Sequence, residues 1–149
     1  MHIQIKTSMK HLITQNKKGF TIIELLVVMA IIVILAAILF PAVMRARLNT
    51  NEFLAVKGLR SLCQALELYR IDNGDYPDTA EDLINSHPPY VQNPAIVQAA
   101  TAGEIPYVGY YFDYTKTEPM KYTYTASPKT IGATGTKTFT VDEDGEIEE

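Results

Sequence analysis

From Ile22 to Val43 the chain runs through twenty-two residues with a single charge, Glu24. At ~1.5 Å per residue such a helix rises ~33 Å, about the thickness of the hydrocarbon core of a bilayer. β-branched residues are frequent in the run, yet an unbroken apolar stretch of this length satisfies its backbone in lipid as a helix. Pro41 lies inside it and removes one backbone hydrogen bond, which predicts a kink or a loosened turn near Ala37. After Arg45 the pattern changes from continuous to periodic. Leu48, Ala55, Leu59, Leu62, Leu66 and Tyr69 recur at helical spacing, with Glu52, Lys57, Arg60, Glu67 and Arg70 elsewhere on the turn. One helix from about Phe20 to about Ile71 is expected. "DNGDYP", Asp72 to Pro77, ends it, because Gly74 accepts a left-handed backbone and Pro77 forbids resumption.

Beyond Pro77 the signals are shorter. Thr79-Ala-Glu-Asp82 reads as a capping box with Asp in place of Glu, opening a short helix through about Asn85 that His87-Pro88-Pro89 stops. Residues 90–106 show no usable period and read as a loop. Three runs then have strand character: Val108–Tyr114, Met120–Ala126 and Thr136–Val141. Tyr110, Phe112 and Tyr114 share one face of the first, and Tyr122 and Tyr124 one face of the second. Asp144-Gly145 reads as a hairpin turn into a short final strand. The predicted fold class is α+β: a long N-terminal helix whose second half is packed by a small C-terminal antiparallel sheet.

Charge sharpens this division. With 149 residues there is room for one domain of ordinary size. Residues 1–19 hold Lys6, Lys10, Lys17 and Lys18 and no acid, and Arg45 to Arg70 holds five basic and two acidic residues. From Ile71 onward four lysines face fourteen acids, a balance of −10. So acidic a head argues against binding a phosphate backbone, and no nucleic-acid partner is expected. The end of the chain (Asp142, Glu143, Asp144, Glu146, Glu148, Glu149) lacks the EF-hand order of ligands. It reads as a solvated turn and tail, ahead of a metal site or a surface docking on the basic helix stretch of a neighbour. Cys63, the one cysteine, sits among Leu59, Leu62 and Leu66 and reads as a small core residue. The period-two tyrosines are explained by a sheet covering a small core, without electron conduction. With residues 1–19 removed His87 is the only histidine, and no catalytic constellation, phosphate loop, metal cluster or cofactor motif stands out.

"KKGFTIIELLVVMAIIVILAAILFPA", Lys17 to Ala42, resembles the N-terminus of type IV prepilins and of the pseudopilins of type II secretion. Gly19 stands before the cut, Phe20 becomes the first residue, Glu24 the fifth and Pro41 the twenty-second. The resemblance implies that a prepilin peptidase on the cytoplasmic side cleaves between Gly19 and Phe20 and methylates the new amine of Phe20. A glycine lets an extended backbone enter a protease cleft unobstructed, and Lys17 and Lys18 hold the cut at the membrane surface. The resemblance further implies that Glu24 pairs with the amine of a neighbouring subunit and sets axial register as helices stack. A plain anchor would not need Gly-Phe followed by Glu at the fifth place, and a secretory signal peptide has a shorter apolar core and a small-x-small cut.

The organisation expected is therefore a leader over 1–19, a transmembrane segment over 20–44, the amphipathic half of the same helix over 45–71 and a small head over 72–149. The function implied is a structural, non-enzymatic subunit of a type II secretion pseudopilus or a type IV pilus. A minor pilin for adhesion or DNA uptake and an uncleaved membrane-anchored domain are the alternatives. The partners implied are other copies of the chain, prepilin peptidase, an inner-membrane assembly platform, minor pilins and the membrane itself. The place implied is the bacterial inner membrane, single-pass, with the head outside the cytoplasm in a periplasmic pseudopilus or surface pilus. "LELYRIDNGDYPDT" resembles the helix end of many pilins and major pseudopilins, and its turn chemistry accounts for it. The chain lacks the tryptophan-bearing segment usual in calcium-binding major pseudopilins and the cysteine pair of many pathogen pilins.

Overall fold

In the computed structural model residues 19–99 and 106–149 are described; Lys6, Lys10, Lys17, Lys18 and the rest of the expected leader before Gly19 lie outside the described residues. One helix, α1 (Ile22–Asn73), runs for 52 residues and includes Pro41. It ends where the Gly74 N–H donates to the Arg70 carbonyl at 2.8 Å, with Gly74 at φ 85, the left-handed region that favours glycine. The chain divides into two compact units, one up to Ile38 and one from Leu39 to Glu149. In the first, the apolar residues of α1 are exposed on every side. The second holds the core.

That core follows from two periodicities meeting. Ala55, Leu59, Leu62 and Leu66 recur at three and four along α1 and are wholly buried, forming one face. The sheet, of order β1-β2-β3-β4, is an antiparallel meander of β1 (Tyr110–Glu118), β2 (Lys121–Pro128), β3 (Phe139–Asp142) and β4 (Ile147–Glu148). Every second residue points inward. Phe112, Ala126 and Phe139 lie in one cross-strand row, and Tyr114, Tyr124, Val141 and Ile147 in the next. Helix and sheet meet closely at Gly58, where an added Cβ would lie 2.7 Å from Ile96 Cδ1 and 3.1 Å from the Phe112 ring.

Three of the packed tyrosines have their hydroxyls on acceptors. Tyr110 donates to the Lys137 carbonyl at 3.0 Å, Tyr114 to the Pro77 carbonyl at 2.7 Å and Tyr76 to Glu67 Oε1 at 2.5 Å. Burial, with Glu67 beside it, pushes the Tyr76 phenol up to about 12, so it stays a neutral donor. Tyr76 also packs edge-on against Tyr122 with ring centroids 4.7 Å apart. The sequence is thereby stapled at "DNGDYP": Lys116 Nζ reaches Asp75 at 3.0 Å and Asp78 at 2.8 Å and donates to the Tyr76 carbonyl. The other Asp75 oxygen accepts the N–H of Met120, which stands at φ 62 in the tight turn between β1 and β2.

Several local expectations are corrected. The loop expected over 90–106 contains a short helix, α3 (Pro94–Gln98), started by Asn93, whose side chain accepts from the Ala95 N–H, and by Pro94 at the first helical position. The expected capping box at Thr79 forms only in part. Asp82 accepts the Thr79 N–H at 3.1 Å, but the short helix α2 (Asp82–Asn85) has no side-chain cap of its own. Met120 is in a turn rather than at the head of a strand, and β1 extends four residues past Tyr114 to Glu118. Asp144-Gly145 does make the β3–β4 turn, with Gly145 at φ 74 and its N–H donating to the Asp142 carbonyl.

Two predictions test this packing. A Cβ at Gly135 would fall on the buried ring and hydroxyl of Tyr110. Gly135→Ala is therefore expected to destabilise the head by about 2 kcal/mol, read as a lower thermal midpoint in the tyrosine near-UV circular dichroism of the detergent-solubilised protein. Asp75 is held below its ordinary value of 3.8, first by the Met120 N–H and then by Lys116. A depressed carboxylate contributes stability that is present above its unfolded pKa and lost as pH falls through the folded one. Asp75→Asn is expected to lower stability at neutral pH and to flatten its decline below about pH 4, measured by denaturant unfolding across pH; an unchanged acid limb would refute the role.

Candidate functional site at the start of the apolar helix

The first turn of α1 must leave backbone N–H groups without helical partners, and here it does so at the entrance to an apolar run. Thr21 and Glu24 resolve that problem together. The Glu24 N–H donates to Thr21 Oγ1 at 3.2 Å, and Glu24 Oε2 accepts both the Thr21 N–H and the Thr21 hydroxyl at 2.8 Å. Thr21-Ile-Ile-Glu24 is thus a complete capping box, and the Leu25 N–H donates to the Thr21 carbonyl to begin the helical ladder. A negative group near a helix N-terminus is also favoured by the peptide dipoles.

The reading from sequence placed the important carboxylate at Glu24 but missed Thr21 as its local partner. The signal was present as Thr-x-x-Glu ahead of an apolar run. Glu24 Oε1 has no hydrogen bond among the described residues, so one oxygen is held by the chain and the other is left open. Phe20, Ile23, Glu24, Val27 and Val28 line a shallow concavity in which this carboxylate is the one charged group. Phe20 itself is exposed, and Gly19 before it has open space around its α-carbon, so the Gly19–Phe20 bond carries no covering side chain there.

The other candidates are placed as follows. Pro41 lies within the helical run of α1. Cys63 is half-buried against the core, and burial raises its thiol above the ordinary value. That environment disfavours the reactive thiolate. In the acidic end Asp142 Oδ1 accepts the Asp144 N–H, while Glu149 is bridged by Lys137 Nζ. Among the described residues no group of three or more His, Cys, Asp or Glu side chains is arranged to hold a metal ion.

Comparison with known proteins bears on the same N-terminal geometry. Residues 14–40 match the family described as the prokaryotic N-terminal methylation motif. The chain is 44% identical over 71 residues to the type IV wide pilus major component PilA4 of Thermus thermophilus, covering 48% of this chain and 54% of that one. It is 36% identical over 70 residues to the type II secretion system core protein G of Escherichia coli, covering 47% and 48%. The same core protein of Pseudomonas aeruginosa is 36% identical over 69 residues, covering 46% and 49%. The chain thus spans about half the length of the curated relatives it matches. Residues 14–40, which run from before Gly19 through the capped start of α1 into its apolar run, therefore match the prokaryotic N-terminal methylation motif, and the chain is similar over about half its length to a type IV pilus component and to type II secretion core proteins.

Proposed function

We propose that the protein is a structural subunit of a helical filament, a type II secretion pseudopilus or a type IV pilus, with no catalytic role of its own. The observation that carries this is Glu24: a carboxylate one turn into an exposed apolar helix, one oxygen held by Thr21 and the other open. Prepilin peptidase would cut between Gly19 and Phe20 and methylate the amine it exposes. That amine is cationic and, on a helical face, four residues from Glu24. A neighbouring subunit's amine can take the free Oε1 while Thr21 keeps Oε2. In hydrocarbon such a pair specifies register even where its net stabilisation is small, because a shift by one turn leaves two charges unpaired.

The relatives include a pilus component and secretion-system core proteins, and residues 14–40, which match the N-terminal methylation motif, hold the segment that would build a filament core. In this reading α1 anchors the subunit once across the bacterial inner membrane. Among the described residues α1 is long and apolar enough to cross one. Lys17 and Lys18 would remain on the cytoplasmic side and the head outside it, until an assembly platform and minor pilins draw the subunit into the filament. The segment 20–44 would lie in the membrane, 45–71 beneath the head, and 72–149 would form the head.

Three outcomes test this. Intact mass with N-terminal fragmentation of protein from its native membrane is expected to show a chain beginning at N-methylated Phe20; a Met1 start in a host with active prepilin peptidase would overturn the proposal. Glu24→Ala is expected to insert and to be cleaved normally, yet to lower sheared filament yield at least tenfold in a strain lacking the wild-type copy. Thr21→Val removes the hydroxyl that orients the carboxylate and caps the helix, a change worth about 1 kcal/mol. Its filament yield is expected to fall between those of wild type and Glu24→Ala, with cleavage unchanged.

A further inference from the structure

The solvent side of the second half of α1 is not the polar face that an amphipathic helix ordinarily presents. At roughly 100° per residue, Phe53, Lys57, Arg60, Leu68 and Ile71 fall within about 80° of arc, opposite the buried Ala55, Leu59, Leu62 and Leu66, with Arg45 about 60° further round. Phe53, Leu68 and Ile71 are 67%, 54% and 70% exposed. Arg45, Lys57 and Arg60 form no ion pair among the described residues. The acids that could neutralise the stretch are already engaged. Glu52 accepts from the Thr136 N–H and hydroxyl at 2.8 and 2.6 Å, and Glu67 is held by Arg70 and Tyr76. Both carboxyls are correspondingly held below their ordinary values.

The complementary surface is on the same chain. Asp142, Asp144, Glu146 and Glu148 line one depression on the β3–β4 hairpin, and none of them forms an ion pair among the described residues. On its own helix the hairpin flanks Arg60, which shares a crevice with Glu146 without bridging to it. Extended along α1, the face from Arg45 to Ile71 covers 26 steps, ~39 Å. A layer of lipid headgroups is several ångströms deep, so it could reach the Arg45 end and not Lys57, Arg60, Leu68 or Ile71.

We propose that this face is the docking surface for a second copy of the chain, whose β3–β4 hairpin brings carboxylates to Lys57 and Arg60 while apolar head residues cover Phe53 and Leu68. The proposal rests on the filament reading and names the head-level contact that the Glu24 pairing lacks. Charge complementarity selects the occupant. Among the described residues the face carries Lys57 and Arg60 without an ion pair and no free carboxylate, and the hairpin carries Asp142, Asp144, Glu146 and Glu148 without one. Such a pairing supplies orientation and partner choice, while the exposed aromatic and aliphatic groups supply area to bury.

The test is a charge swap in full-length protein, in a strain lacking the wild-type copy, with membrane level and leader cleavage followed alongside filament yield. Lys57→Glu with Arg60→Glu, and separately Asp144→Lys with Glu146→Lys, are each expected to lower sheared filament yield at least tenfold at normal cleavage. The combined four-fold variant is expected to recover to within threefold of wild type. Wild-type yield from either half, or no recovery in the combination, would overturn the docking, the latter meaning that the face meets a lipid, another protein or a different part of the head. A carbodiimide joining amines to carboxylates in assembled wild-type filaments is expected to give a dimer linked through Lys57 and the hairpin. Lys57→Arg, which keeps the charge and removes the amine, should form filaments and lose that link; a Lys57 link confined to other segments would refute the contact independently of any folding defect. If wild-type protein makes no filament at all, the filament reading itself fails and the docking with it, whereas normal filaments from the swapped halves defeat the docking alone.

Discussion

A carboxylate beside an apolar run needs something to share its charge, and in the function proposed above the start of α1 answers that constraint. Thr21 supplies the first partner through its N–H and hydroxyl, both 2.8 Å from one Glu24 oxygen. The same contacts satisfy donors that the start of α1 would otherwise leave bare. Among the described residues nothing covers the large apolar side chains from Leu25 to Val43. In the proposed filament they would lie in lipid or against copies of themselves, and the Glu24 carboxylate would be the charged feature by which such helices line up.

The head solves a different problem, that of a small core. Leucines of one helical face contribute aliphatic volume, while Tyr110, Tyr122, Tyr124, Phe112 and Phe139 contribute large rings from the sheet. Rings fill space with few residues, which suits a sheet whose last two strands have four and two residues. The hydroxyls then need acceptors, and the structure provides them from Glu67 of α1 for Tyr76, from Pro77 in the turn after α1 for Tyr114 and from Lys137 for Tyr110. Tyr124 is the exception: its hydroxyl is buried without a partner among the described residues. Nothing in the structure accounts for it.

The fold was legible where a period persisted over many residues. Apolar continuity, then leucines at three and four, gave one helix within two residues of its observed ends, and alternating tyrosines gave strands with the inward face correctly chosen. Short elements were less legible, because a single turn is decided by its caps. Asn93-Pro94 carries a clear start signal, but the helix has only five residues, Pro94 included, too few for a period to show. Met120 was drawn into a strand by its neighbours, whereas the Asp75 carboxylate, forty-five residues earlier, fixes it in a turn. No local pattern encodes that contact. At the site, Gly19, Phe20 and Glu24 stood out as a spaced set; Thr21 did not, because a threonine beside a known motif reads as filler until its hydroxyl is placed.

The edges of the sheet carry a consequence for crowding. β4 is two residues long and is bracketed by Glu146 and Glu149 with Glu148 within it, and its neighbour in sequence is the carboxylate-rich turn. On the far side, the β1 edge already lends the Phe112 N–H to the Ala99 carbonyl. A strand from another molecule would meet repulsion at one edge and an occupied donor at the other. In the filament proposed above, heads crowded together would therefore be discouraged from fusing sheet to sheet, leaving their contacts to side chains.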